Sequence, residues 1–294
     1  MKRAIPHPTI SVSGSLAIKK IAPEGNRPSA NEASQAWDAI PAPICPVCAG
    51  ATGWFDVVDF NKNCAEPRGV FLPLAGRSVY YARCSGCGFC FAPALHRWSA
   101  QDMANRIYNA DYAVVDPDYI EVRPKASADM LCQMFAQLAG SDVPHLDYGS
   151  GSGRLSELLQ ERGWRSISYD PFVPDSRAPE PRRHFGLITA FEVFEHVADV
   201  QALMDFLEDH LAPDGLLVFS TLLSDGAIQP GKRLDWWYAC PRNGHISLFS
   251  KKSLTLLLQR CGIHGFASSG PGFHIACRER WPHWAQHLIS NGQQ

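Results

Sequence analysis

Two Cys-x-x-Cys pairs, Cys45-Pro46-Val47-Cys48 and Cys84-Ser85-Gly86-Cys87, are the residues of this chain whose type and spacing commit most directly to chemistry. Two intervening residues let both thiolates of a tight turn converge on one ion. Two such turns supply the four sulfurs of a tetrahedral structural Zn2+ site. The flanks are similar, with a glycine close after each pair in Ala49-Gly50 and Gly88-Phe89. Four thiolates leave no open position for water, so Cys45, Cys48, Cys84 and Cys87 are expected to staple the fold rather than catalyse. The competing reading of such pairs is buried or redox-active thiols. Cys64, Cys90, Cys132, Cys240, Cys261 and Cys277 are scattered. No continuous apolar signal stretch stands near the N-terminus, so the thiols read as reduced and the chain as cytoplasmic.

A second concentration of chemistry spans Asp147-Tyr148-Gly149-Ser150-Gly151-Ser152-Gly153. An apolar strand runs into it, and a helix with Leu155, Leu158 and Leu159 on one face leaves it, with Gly163 placed to end that helix. Glycines there let the chain turn sharply and let a ligand reach main-chain N–H groups at a helix N-terminus. A further short strand over 166–169 ends at Asp170, about twenty residues on, where a ribose diol is commonly held. An apolar run at 185–194 then leads to Glu195-His196. Val200, Leu203, Met204, Leu207 and Leu211 recur at helical spacing, and Pro213-Asp214-Gly215 breaks the chain before an apolar run at 216–221.

The elements that must position these residues follow from composition and pattern. The 294 residues are 46% hydrophobic and 19% charged, enough for one large domain or two modest ones and too apolar for a disordered chain. A formal net charge of −2 argues against a broad phosphate-tracking surface, so nucleic acid is not the expected partner. No apolar run is long enough for a membrane span. Residues 1–43 read as a mobile leader with at most a short helix at 31–40. Residues 44–92 read as a small Cys-rich unit needing a staple, with strands at 54–60 and 78–82. A helical connector at 93–140, with a helix over 126–138, joins it to an α/β domain at 141–280, where apolar runs alternate with amphipathic stretches. Residues 281–294 form a tail.

An acidic strand end followed by Gly-x-Gly-x-Gly is not the dinucleotide fingerprint. It resembles the class I S-adenosylmethionine-dependent methyltransferases, and the Glu195-His196 signature after an apolar strand and the 211–215 break are similar to that family in order. The resemblance implies an α/β, Rossmann-like, mostly parallel sheet, here with an N-terminal zinc module, and S-adenosyl-L-methionine as cofactor. It implies that Gly149, Ser150, Gly151 and Gly153 shape the methionine-end pocket. Asp147 would order that loop, Asp170 would accept both ribose hydroxyls, and Phe191 and Glu192 would line the cleft. One departure stands out. Residues 171–184 include Pro171, Pro174, Pro179 and Pro181, so the family's third strand is expected to be lost or shortened, and no adenine-binding acid is assigned.

The segment 234–250 is too polar at 241–245 for a core and too aromatic for an idle loop. It follows the expected fifth strand, whose carboxyl end is where ligands sit in open α/β sheets. For methyl transfer to a hydroxyl or acidic carbon, His245 has the pKa range of a base, with Glu195 or His196 to orient or replace it. Trp236, Trp237 and Tyr238 would wall the acceptor, and Arg242, beside Asn243, would hold an acidic handle. Ser250 is placed to cap the following helix. The Cys pairs with the Tyr108, Tyr112 and Tyr119 segment look similar to bacterial sugar and secondary-metabolite methyltransferases, some of them zinc-containing sugar C-methyltransferases. That implies a small or carrier-linked acceptor: a sugar, a glycan terminus or a secondary metabolite. Arg68, Arg77, Arg83, Arg97 and Arg106 keep open tRNA or protein methylation with the module as docking surface. A non-catalytic binding protein is the remaining alternative.

Overall fold

In the computed structural model the cysteine-rich segment forms strands β1 (Thr52–Asp59), β2 (Ser78–Cys84) and β3 (Cys90–Phe91). The description covers residues 41–290 apart from Ala110, Pro174, Pro181, Arg182 and Pro271; residues 1–40, including the expected helix at 31–40, lie outside it. β1 pairs antiparallel with β2, and β2 with β3. The fourth strand of this sheet comes from the far end of the chain: β8 (Ser247–Leu248) pairs with β3 through Cys90↔Leu248 and Phe91↔Ser247.

The second sheet contains β4 (Pro144–Tyr148), β5 (Arg165–Tyr169), β6 (Phe185–Phe191), β7 (Leu211–Ser220), β9 (Gly265–Ser269) and β10 (Phe273–Cys277), ordered β5-β4-β6-β7-β10-β9. The first four are parallel, and β10 lies antiparallel between β7 and β9. β5 is the edge strand. Among the described residues of 171–184 there is no strand beyond it, as the prolines there predict. The break at Pro213-Asp214-Gly215 appears as a register jump from Phe185↔Leu211 to Leu187↔Leu216, so regular pairing of β7 resumes at Leu216.

Side chains alternate across the sheet with period two. Ile188, Leu217 and Phe219 join one core with Leu203 and Leu207 of helix α5 (Val200–His210) and Leu254 and Leu257 of helix α6 (Lys251–Arg260). Leu187, Leu216 and Val218 face the opposite core, with Leu131 of helix α3 (Val122–Met134) and Leu155 and Leu159 of helix α4 (Arg154–Glu161). Helices α1 (Ala100–Arg106) and α2 (Tyr112–Val115) lie in the connector, and a short α7 (His287–Ser290) follows the second sheet in the chain. The expected 126–138 helix thus starts earlier and ends as a separate turn at Ala136–Leu138. Ser250 caps α6 by accepting the Ser253 N–H, and Asp199 caps α5 by accepting those of Gln201 and Ala202.

The first core does not stop at the large sheet. Cys45, Cys84, Cys87, Phe89 and Phe249 belong to it, and Phe89 and Phe249 are fully buried with ring centroids 4.8 Å apart. Burying such a side chain contributes about 1.5–3 kcal/mol. The cysteine turns are therefore packed into the α/β core and not merely tethered to it.

Candidate active site

β4 delivers the chain to the glycine turn, whose backbone permits no substitution at its first glycine. Gly149 has φ 71°, and a Cβ there would lie 2.5 Å from Val193 Cγ2. Gly151, also left-handed, faces open space, and its N–H donates to Asp170 Oδ2 at 2.8 Å. Phe172 N–H donates to the other oxygen, Oδ1, at 2.8 Å. Each carboxylate oxygen keeps an unused lone pair for a ligand. Glu192, at the end of β6, has φ 52°, a conformation costly for a residue with a side chain. Ser220 pins it there, accepting the Glu192 N–H at 2.8 Å and donating to Oε1 at 2.7 Å.

These groups border a cavity of about 1080 Å3, large for a single small ligand. Asp147, Gly149, Ser150, Gly151, Asp170, Phe191, Glu192 and His196 all line it. Gly153 stands behind the turn, with Ser168 Oγ 3.1 Å from where its Cβ would be. Glu195 is fully buried and outside the lining. The connector also lines the cavity: Tyr108, Tyr112 and Tyr119 follow one another with ring centroids 5.1 and 5.2 Å apart, and Phe172, after β5, lies 5.8 Å from Tyr108. Arg123 also lines it, its guanidinium 2.5 Å from Asp116 Oδ2. The tyrosine spacing was a signal in the sequence. Arg123 and Phe172 carried none, because their surroundings give them neither motif nor periodicity.

The structure places 234–250, the expected acceptor segment, outside the lining of this cavity. His245, Trp236, Trp237, Tyr238, Arg242 and Asn243 do not line the cavity. The segment is laid instead against the cysteine-rich sheet. Asp56 accepts the Leu234 N–H at 2.6 Å, and the Lys62 ammonium donates to Trp236 O at 2.8 Å. The Tyr81 hydroxyl donates to His245 O at 2.8 Å, and Cys64 N–H donates to Asn243 Oδ1 at 2.9 Å. Arg242 is buried and donates to Ile107 O, while Trp237 is exposed. Tyr238 is buried and donates to Glu195 Oε1 at 2.5 Å. His245 reaches the cavity only indirectly, its ring 4.8 Å from that of His196.

Burial sets the ionisation of this interior. It pushes Asp147 up to about 7, against the hydrogen bond donated by Thr189, and holds Glu195 well above the carboxylate range. It lowers His96 and His196 to about 4 and His145 to about 3, and lowers His245 and His274 too. Such histidines are neutral in the fold and protonate below their ordinary pKa only when it opens, so they withdraw stability as pH falls from about 6.5 toward 4. Asp147 and Glu195, with raised folded values, act in the opposite sense and are fewer. Denaturant midpoints should therefore fall between pH 7 and pH 5, by on the order of 1.4 kcal/mol per pH unit for each uncompensated histidine. A midpoint that rises on acidification would contradict the burial of these rings.

At the cysteine centre the two turns repeat one hydrogen-bond pattern. Cys45 N–H donates to Gly50 O as Cys84 N–H donates to Phe89 O, and Ala49 N–H donates to Cys45 O as Gly88 N–H donates to Cys84 O. Ala49 and Gly88, at equivalent positions, are both left-handed, with φ 58° and 81°. The four sulfurs lie within 4.8 Å of one another, with Cys45–Cys87 at 3.6 Å and Cys48–Cys84 at 3.4 Å. Zn–S bonds of about 2.3 Å in a tetrahedron require sulfurs about 3.8 Å apart. Donor set and spacing fit that ion.

A family model described as a methyltransferase domain matches residues 119–264. Residues 119–264, just under half of the chain, are thus a methyltransferase domain. Among curated proteins it is similar to a ubiquinone biosynthesis O-methyltransferase of Bradyrhizobium sp. (strain ORS 278), 36% identical over 95 residues, covering 32% of this chain and 36% of that protein. A protein of the same name from Nitrobacter winogradskyi is 34% identical over 95 residues, covering 32% and 35%. The chain thus spans about a third of the length of these relatives. Among solved structures, a Burkholderia thailandensis 1,6-didemethyltoxoflavin-N1-methyltransferase is 17% identical with a TM-score of 0.43, covering 69% of this chain and 94% of that one. A likeness of that degree carries no functional argument. Among the described residues no helix is long and apolar enough to cross a membrane.

Proposed function

We propose that this chain transfers a methyl group from S-adenosyl-L-methionine to a small or carrier-linked acceptor, a sugar, glycan terminus or secondary metabolite. The observation that carries the reading is the Asp170 carboxylate, fixed by the Gly151 and Phe172 N–H groups at the edge of a cavity also lined by three tyrosines. When bound, the cofactor supplies an electrophilic methyl group on a sulfonium.

The chain's residues divide the remaining work. Gly149, Ser150, Gly151 and Gly153 shape the methionine end, with Asp147 buried beneath them. Asp170 accepts the ribose hydroxyls, and Phe191 and Glu192 line the cleft. Tyr108, Tyr112 and Tyr119 offer flat apolar faces to the acceptor and exclude water. His196 is the candidate base because it borders the cavity; burial keeps its ring neutral at rest, so its proton must be taken up as the acceptor's is lost. Glu195 and His245 pack behind His196 and position it. Zn2+ on Cys45, Cys48, Cys84 and Cys87 is structural in this reading.

Titration calorimetry with S-adenosylmethionine and S-adenosylhomocysteine on metal-loaded protein tests the proposal. Saturable binding is expected, and its absence from folded protein would overturn it. Asp170→Ala should weaken binding by about 10- to 100-fold, because it removes hydrogen bonds to a charged acceptor worth about 1.5–3 kcal/mol each. An unchanged Kd would displace Asp170 from the cofactor site. A mass-spectrometric screen of nucleotide-sugars and phenolic metabolites for gain of one methyl group would then identify the acceptor.

A further inference from the structure

We propose that Cys64 and Cys240 form a dithiol–disulfide pair, closed by exchange with a low-molecular-weight disulfide. Their sulfurs lie 2.7 Å apart, nearer than non-bonded sulfurs rest and nearer than the 3.4 and 3.6 Å found across the four-cysteine centre. His245 Nδ1 stands 3.3 Å from Cys240 Sγ and 3.9 Å from Cys64 Sγ, which makes a metal ion the competing occupant. Two observations favour the disulfide. A tetrahedral ion would hold the two sulfurs about 3.8 Å apart. His245 Nδ1 is also 2.8 Å from Tyr238 O, so this nitrogen carries a proton donated to a carbonyl and has no lone pair to offer.

The two cysteines come from distant parts of the sequence, yet their backbones are already stitched together. Cys64 N–H donates to Asn243 Oδ1, and Arg242 N–H donates to Lys62 O at 3.2 Å. Closure therefore asks for little movement. Cys64 is half-buried and Cys240 buried, so the external reagent meets Cys64 first. The Cys64 thiolate attacks one sulfur of R–S–S–R, forming a mixed disulfide and releasing one thiolate RS−. Cys240 then attacks the Cys64 sulfur and expels the second RS−. The protons of the two protein thiols end on the two RSH formed. Two protein thiols are oxidised to one disulfide, and one small disulfide is reduced. The bond ties the loop after β1 to the segment holding His245, which packs on His196 at the cavity wall.

The test uses the full chain, loaded with zinc and incubated with oxidised glutathione, then alkylated, digested and mapped by mass spectrometry. The expected result is two fewer alkylated cysteines, a peptide pair joined through Cys64 and Cys240, reversal by dithiothreitol and unchanged metal content. Cys64→Ala should abolish the linked peptide while leaving the metal content and the melting transition of the reduced protein in place. Glutathionylated Cys64 without the cross-link, at saturating reagent, would overturn the proposal. So would a second zinc equivalent per chain that disappears in Cys64→Ala. Both readouts are independent of cofactor binding, so they stand or fall apart from the methyltransferase reading.

Discussion

Replacing His196 by asparagine should lower turnover by about 10²- to 10⁴-fold, the range removed with a general base, while cofactor affinity stays within a few-fold. The reason lies in the ring's setting. His196 borders the cavity, and burial keeps its ring neutral at rest. An imidazole can take up a proton, whereas asparagine can hydrogen-bond but cannot accept one. The expected signature is a fall in kcat with little change in Kd for S-adenosylmethionine. A His245→Asn variant separates base from support. His245 touches the site only through the His196 ring, so its loss should cost less and should not abolish the pH dependence of kcat. Equal and large losses in both variants, or full activity in His196→Asn, would remove His196 from the role of base.

Cys84→Ser should release the metal and lower the melting midpoint by at least about 10 °C. Apparent binding free energies of structural zinc sites, about 10–16 kcal/mol, are comparable to the whole stability of a domain. At this size each kcal/mol shifts the midpoint by about 2–4 °C. The effect should spread beyond the cysteine turns. The Ser250 hydroxyl, which caps α6, donates to Cys87 O at 2.5 Å, and Phe89 of the second turn packs on Phe249. Losing the turn thus loosens the start of α6 and the β8–β3 pairing together. Metal analysis by mass spectrometry and calorimetric melting check this. A variant with wild-type metal content and midpoint would refute the ligand set.

Much of the architecture was legible because it is encoded locally. The alternation in 185–191 and 216–220 separates into two buried faces of one sheet, as period-two patterning requires. The prolines of 171–184 foretold a sheet ending at β5, since proline cannot sustain a strand's hydrogen bonds. Asp170 could be found by its offset from the glycines, because a short βαβ unit fixes that distance.

The destination of 234–246 could not be found in this way. Its aromatic and polar residues look equally suited to a substrate pocket or to a buried interface. What decides between them is the set of partners offered by Asp56, Lys62, Cys64 and Tyr81, far away in the sequence. Hydrogen bonds and strand pairing between distant segments leave no periodic trace in either one. The glycine turn, the parallel strands and the paired cysteines are readable from the residues alone, all being products of short-range geometry. That the connector's tyrosines line the cavity and that the His245 segment closes the cysteine-rich sheet emerges with the folded chain, because both depend on which distant surfaces satisfy each other's buried polar groups.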